Sequence, residues 1–214
     1  MKFDIIVNKE NMQVRSIGAE SSELYNIITT VATDEFIEAA KEFIAFTLEY
    51  QIENRSKIIP GHTMTYGFWL VKFEESNSNL EVWELDKNAN LFIKGANLTL
   101  QFWMEQLCIC DELNAEFDPP TADKLITLSK EILEDESEIQ GVRMIGEDNS
   151  SGWLLYKNED DLDELNYNKL VTIHLHELIS KKPDLVCFFG LPYGYRFIIE
   201  DDGYDVWFDS EAIK

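Results

Sequence analysis

Ser151-Gly152-Trp153-Leu154-Leu155-Tyr156 is a six-residue apolar run with a glycine at its second position. It has the length of a buried strand and is too short for a free-standing helix. Around it lie the residues with the most demanding geometry in the chain. An acidic patch follows, Glu159-Asp160-Asp161-Leu162-Asp163-Glu164, then an amphipathic segment from Tyr167 to Lys182. Pro183-Asp184-Leu185 and Leu191-Pro192-Tyr193-Gly194-Tyr195-Arg196-Phe197 close the stretch. Leu170, Ile173, Leu175, Leu178 and Ile179 predict a helix ending at Lys181-Lys182, whose charges complement its C-terminal dipole before Pro183 stops it. A strand followed by a packed helix and a further hairpin makes this region α+β.

Working back towards the N-terminus, Gly141 to Ile145 predicts another strand. Lys124 to Ser129 fits a helix or a strand by period, and its stiff Ile and Thr side chains favour the strand. Before it, Asp118-Pro119-Pro120 forbids helix continuation and marks the best candidate for a boundary. Asn97 or Thr99 starts a helix running to about Asn114, with Leu100, Trp103, Leu107, Cys110 and Leu113 on one stripe. Three runs before it, Thr65–Glu74, Leu80–Leu85 and Leu91–Lys94, read as an antiparallel meander with Asn- and Ser-rich turns. Leu80, Val82 and Glu84 share one face of the middle run.

A helix is expected from Thr33 or Asp34 to about Ile52, and a short one from Ser21 to Ile28. Phe3–Val7 and Met12–Ile17 fit a hairpin. Downstream, Tyr195–Ile199 and Tyr204–Phe208 make another across an Asp202-Gly203 step. The expected architecture is α+β: antiparallel sheets with packed helices, two sub-domains in one globule, residues 1–118 and 121–214.

Charge bounds the partners. Of 214 residues, 41 are acidic and 18 basic, a net charge of −23. The acidity is spread, with −11 over residues 1–120 and −12 over 121–214. A field of this sign repels nucleic acid and anionic membrane and draws in basic partners. Apolar residues at 45% supply a core without disulfides or metals. Three cysteines, Cys108, Cys110 and Cys187, are an odd number in apolar surroundings and read as buried thiols of a reducing compartment. Met1 to Val7 lacks the features of a signal peptide, and no apolar run reaches 18 residues, so a cytoplasmic protein is expected.

No catalytic constellation is visible. The three thiols lack an adjacent base, no Gly-x-Ser-x-Gly surrounds Ser129 or Ser151, and no phosphate-binding glycine loop is present. His174 and His176 would share one side of a strand; on the expected helix their spacing of two makes them diverge, whereas helical zinc ligands want three or four. The acidic clusters 159–164 and 200–205 do not follow the EF-hand order. No metal and no cofactor is expected. Clustered carboxylates suit a basic protein surface better.

Four pieces resemble one bacterial family in order. They are Leu125–Leu133 with its Ser129-Lys130 step, Gly141–Ile145, Ser151-Gly152-Trp153 with the acids after it, and Pro183-Asp184-Leu185 with Leu191–Phe197. Residues from about Lys124 to Glu200 are similar to the immunity protein 33-like domain of polymorphic toxin systems. The helix with Trp103, Gln106 and Cys108 and the Asp118-Pro119-Pro120 step look like what precedes that domain in longer relatives. The acidic patch departs from the typical Gly-Asp-Glu form, lacking its glycine.

The resemblance implies a non-catalytic protein that binds and neutralises a cognate toxin, which the charge makes basic. Glu159, Asp160, Asp161, Asp163, Glu164 and Trp153 are the candidate partner-binding residues. Gly152, Pro192, Gly194, Arg196 and Phe197 are the expected fold signature. The alternatives are an enzyme with a carboxylate site between the two halves, or a regulatory or adaptor domain.

Overall fold

The computed structural model describes residues 3–134, 138–157, 169–200 and 202–214. It is α+β and divides into two compact units, Met1–Met104 and Glu105–Lys214. Each holds one sheet.

In the first unit the hairpin of β1 (Asp4–Asn8) and β2 (Gln13–Ile17) forms as expected. The helix expected from Ser21 to Ile28 does not. A single 3-10 turn, Ala19–Ser22, lies between left-handed residues Gly18 and Glu23. The β-branched run then becomes strand β3 (Ile27–Thr30). Local bonds favour this outcome: Asn26 Oδ1 accepts from the Ala19 N–H at 3.1 Å, and Ser16 Oγ accepts from the Ile27 N–H at 2.8 Å. The Ser16 hydroxyl thus satisfies the Ile27 N–H, a backbone donor that a helix would have used itself, and Asn26 ties its loop to Ala19.

Helix α1 (Ile37–Glu53) buries Phe43, Ile44 and Leu48 in the core of this unit. The run Thr65–Glu74 is two strands rather than one. Gly67, at φ 56°, turns the chain so that β4 (Thr63–Tyr66) folds back on β5 (Trp69–Ser76). β6 (Asn79–Leu85) and β7 (Phe92–Lys94) complete the meander. The sheet order is β1-β2-β3-β6-β5-β4, with β7 also paired to β6. Every pairing is antiparallel except β3 with β6.

Leu80, Val82 and Glu84 do share the buried face of β6. Glu84 is a charged type in a core position, and its partner explains it. Its Oε2 accepts from the N–H and hydroxyl of Thr99, at 2.8 and 3.0 Å, in the first turn of α2 (Asn97–Leu113). A sheet carboxylate therefore caps the helix, where unpaired amides and the helix dipole favour an acceptor.

In the second unit β8 (Leu125–Ser129), β9 (Ile139–Arg143) and β10 (Ser150–Tyr156) form as strands. The segment expected as one helix from Tyr167 to Lys182 divides. Leu170–His174 is strand β11, paired antiparallel with β8, and only Leu175–Lys181 is helix α3. The β-branched Val171-Thr172-Ile173 run suits the pleat. Pro183–Gly190 follows as a 3-10 segment, then the hairpin of β12 (Tyr195–Glu200) and β13 (Gly203–Phe208). The order is β11-β8-β10-β9-β12-β13, antiparallel except for β8 with β10. Trp153, Phe188, Phe189 and Phe197 centre its core, with Phe188 and Phe197 stacked at 4.3 Å.

Burial outweighs the hydrogen bonds at Glu84 and raises its carboxyl above the ordinary value, even though the amides favour the charged form. A carboxyl raised by folding contributes stability that is full at acid pH and lost as pH rises through its folded value. In urea titrations at pH 4 and pH 7, the stability of the wild type relative to Glu84→Gln should therefore decline towards pH 7. A difference that grows with pH would contradict this reading.

Candidate functional site

The Ser151-Gly152-Trp153 step works through backbone geometry. Gly152 sits at φ 81°, in the left-handed region that side chains rarely enter. A Cβ there would overlap the Met144 carbonyl oxygen and come within 2.7 Å of the Tyr193 ring. The glycine keeps β10 close to the end of β9, where the Met144 N–H donates to Gly152 O at 2.9 Å. One residue on, Trp153 turns inward, 1% exposed, 5.6 Å from the Phe189 ring and 5.5 Å from Phe197. So enclosed, it lies beneath the surface and is not a contact platform. Its indole N–H has no hydrogen-bond partner among the described residues.

Above it lies a shallow groove of about 280 Å³, lined among others by Met144, Ile145, Gly152 and Leu154. Ile145 is 69% exposed at its edge. Glu159, Asp160, Asp161, Asp163 and Glu164 lie outside the described residues.

Arg143 holds these parts together, and nothing in its sequence neighbourhood singled it out. It is 2% exposed. Its Nε donates to Ser151 O at 3.1 Å, and its Nη1 donates to the carbonyls of Asp118 and Leu191. Asp118 Oδ2 stands 3.4 Å away, and the guanidinium lies 4.4 Å from the centre of the Tyr193 ring. Burial pulls its pKa down from the ordinary arginine value, opposed by Asp118. A guanidinium gathers several acceptors in one plane, which a lysine does not.

The signature residues follow from the same packing. Pro192 comes directly after the Leu191 carbonyl bound by Arg143. Gly194, at φ 90°, donates its N–H to Arg143 O at 2.8 Å, and a Cβ there would meet Phe208 at 2.6 Å. Arg196 Nε donates to Asp209 Oδ2 at 2.7 Å, and its Nη1 to the Tyr156 hydroxyl at 3.1 Å. Phe197 fills the space over Gly141, where any Cβ would collide with its ring.

The histidines differ from the sequence expectation, because the strand ends between them. His174 closes β11 and His176 lies in the first turn of α3. Their rings do not diverge: the centroids are 5.3 Å apart and the planes 12° from parallel. His174 Nδ1 meets Asp123 O at 2.6 Å and His176 Nδ1 meets Ala122 O at 3.1 Å. A carbonyl accepts only, so each Nδ1 carries the proton when the ring is neutral. Among the described residues, no group of three or more His, Cys, Asp or Glu side chains stands together to hold a metal.

Cys110 and Cys187 are poorly placed for nucleophilic work, whereas Cys108 is exposed, against the expectation that all three thiols are buried. Burial, then Asp111, pushes Cys110 up to about 11. Burial, then Glu105, pushes Cys187 up to about 12. Thiols so raised are protonated at neutral pH.

The Arg143 contacts show where this unit begins. Asp118 is one of its anchors, the Asp118 N–H donates to Gly190 O at 2.9 Å, and Gln106 and Phe117 pack on Gly190. The end of α2 and the two prolines thus belong to the second unit, which starts at Glu105. Residues 105–209 match the Imm33-like domain family. The match begins where the compact unit begins, upstream of the Lys124 start expected from motifs alone. Its name is that of an immunity-protein domain. No curated protein and no solved structure matches the chain. No helix among the described residues is long and apolar enough to cross a membrane.

Two substitutions test this construction. Arg143→Ala takes the donor from three main-chain carbonyls, those of Ser151 and Leu191 buried and that of Asp118 half-buried, and should cost about 3–5 kcal/mol of unfolding free energy. Gly152→Ala should cost at least ~1–2 kcal/mol from the left-handed backbone alone, with steric overlap added. Chemical denaturation measures both; a loss below ~1 kcal/mol for Arg143→Ala would remove its clasp role.

Proposed function

We propose that this protein is an immunity protein: it binds a cognate protein toxin and neutralises it without catalysis of its own. The observation that carries the reading is the Imm33-like match over residues 105–209. Charge supports the finer statement that the toxin is basic. At −23, the molecule attracts a cationic partner at long range, and association between opposite fields is fast and salt-sensitive.

Within this reading, Glu159, Asp160, Asp161, Asp163 and Glu164 supply carboxylates for Arg and Lys of the toxin. Trp153, being buried, contributes through the packing of β10. The protein works in the cytoplasm, where a toxin enters or is made.

The test is co-expression in a bacterial host with the toxin encoded beside its gene. The expected result is growth rescued from arrest, with an association rate that falls by ~10-fold or more between low and high salt. Growth arrest that persists with soluble protein present would overturn the immunity reading. A salt-independent association rate would overturn the basic-toxin statement.

A further inference from the structure

Strand β13 ends its sheet. All six of its residues pair with β12, from Tyr195↔Phe208 to Glu200↔Gly203, without a bulge. No other strand among the described residues pairs with it. The Asp209 N–H donates to Gly194 O at 2.7 Å, which sets the alternation along the hairpin. Gly203, Asp205 and Trp207 turn their backbone groups towards β12, while Tyr204, Val206 and Phe208 turn theirs outward. A free edge of this kind is normally blocked by a lysine, a proline, a bulge or a covering segment. β13 contains no lysine, proline or bulge.

The edge is also apolar and acidic. Tyr204, Trp207 and Phe208 are 50, 43 and 54% exposed. They are large aromatics on both faces of one short strand, the type enriched where proteins bind one another. Glu200, Asp202, Asp205 and Glu211 are exposed along and beyond the strand. Arg196 is paired with Asp209, and Lys214 with Glu211.

From this edge, and resting on the immunity reading, we infer that β13 docks an extended, lysine- or arginine-bearing segment of the toxin, which joins the sheet as a further strand. The outward N–H and C=O groups of Tyr204, Val206 and Phe208 set its register. The aromatics supply buried area, and the carboxylates select its charge. A second copy of this chain is a poor occupant, because it would bring two acidic edges together on molecules of −23 each.

The probe is a capped ten-residue peptide alternating Lys and Val, added to the full-length protein. Hydrogen exchange followed by NMR should show the amides of Tyr204, Val206 and Phe208 gaining at least ~10-fold protection, with Asp205 and Trp207 already protected in the free protein. Val206→Pro removes an outward N–H and leaves the β12 ladder in place. It should lose ~10-fold or more in peptide affinity and fail to neutralise the toxin. Asp205→Lys, which leaves the backbone groups free, should weaken binding several-fold and serves if the proline variant does not fold. Unchanged peptide affinity in the folded variants, or protection confined to other amides, overturns the proposal. So does a dimer of the wild type in sedimentation that Val206→Pro dissolves. If the wild type fails to neutralise the toxin, the immunity reading falls, while the peptide experiment still judges the edge on its own.

Discussion

A single buried guanidinium sets the geometry of the second unit. Arg143 leaves water at a substantial desolvation cost, offset only if its donors find acceptors. They find three main-chain carbonyls, from Asp118, Ser151 and Leu191, with the Asp118 carboxylate nearby and the Tyr193 ring over the cation. The three carbonyls come from segments far apart in sequence. One side chain thus fixes where the chain enters the unit, how β10 lies, and where the loop before β12 runs.

Around that clasp, small residues admit large ones. Gly152 lets β10 approach β9 and the Tyr193 ring, and Gly141 leaves room for Phe197. Trp153 is then enclosed by Phe189 and Phe197. The Ser-Gly-Trp step is a packing device, and whatever recognition occurs nearby is carried by groups around it. The first unit solves a comparable problem with an acidic side chain, since buried Glu84 caps α2. In each unit a buried ionisable side chain is tied to main-chain groups and organises a junction between elements.

The β12–β13 hairpin combines two requirements. Its inner strand is core, with Phe197 fully buried. Its outer strand leaves aromatic surface uncovered, and exposed apolar patches of this kind commonly mark interaction sites. Under the proposed docking, the negative field would speed encounter and the open edge would set register.

Much of this was legible in the residues. Alternation and turn chemistry located β1, β2, β5, β6 and the β12–β13 hairpin, and the stripe of Leu100, Trp103 and Leu107 located α2. The α+β class and the Imm33-like resemblance followed from short motifs in order. Three features were not legible, each because a distant partner decides them. Leu170–His174 is a strand because β8 lies beside it, although its apolar spacing also fits a helix. Ile27–Thr30 is a strand because β2 and β6 flank it and Ser16 and Asn26 take up local amides. Arg143 reads as one basic residue in a strand, and only the folded chain brings the carbonyls of residues 118, 151 and 191 to it. Local period and turn residues are properties of neighbours along the chain, so the sequence by itself determined the element types where those signals agree, the charge and the family motifs. Strand pairing, burial of a charge and the openness of an edge depend on residues tens of positions apart, and only the tertiary structure decided them.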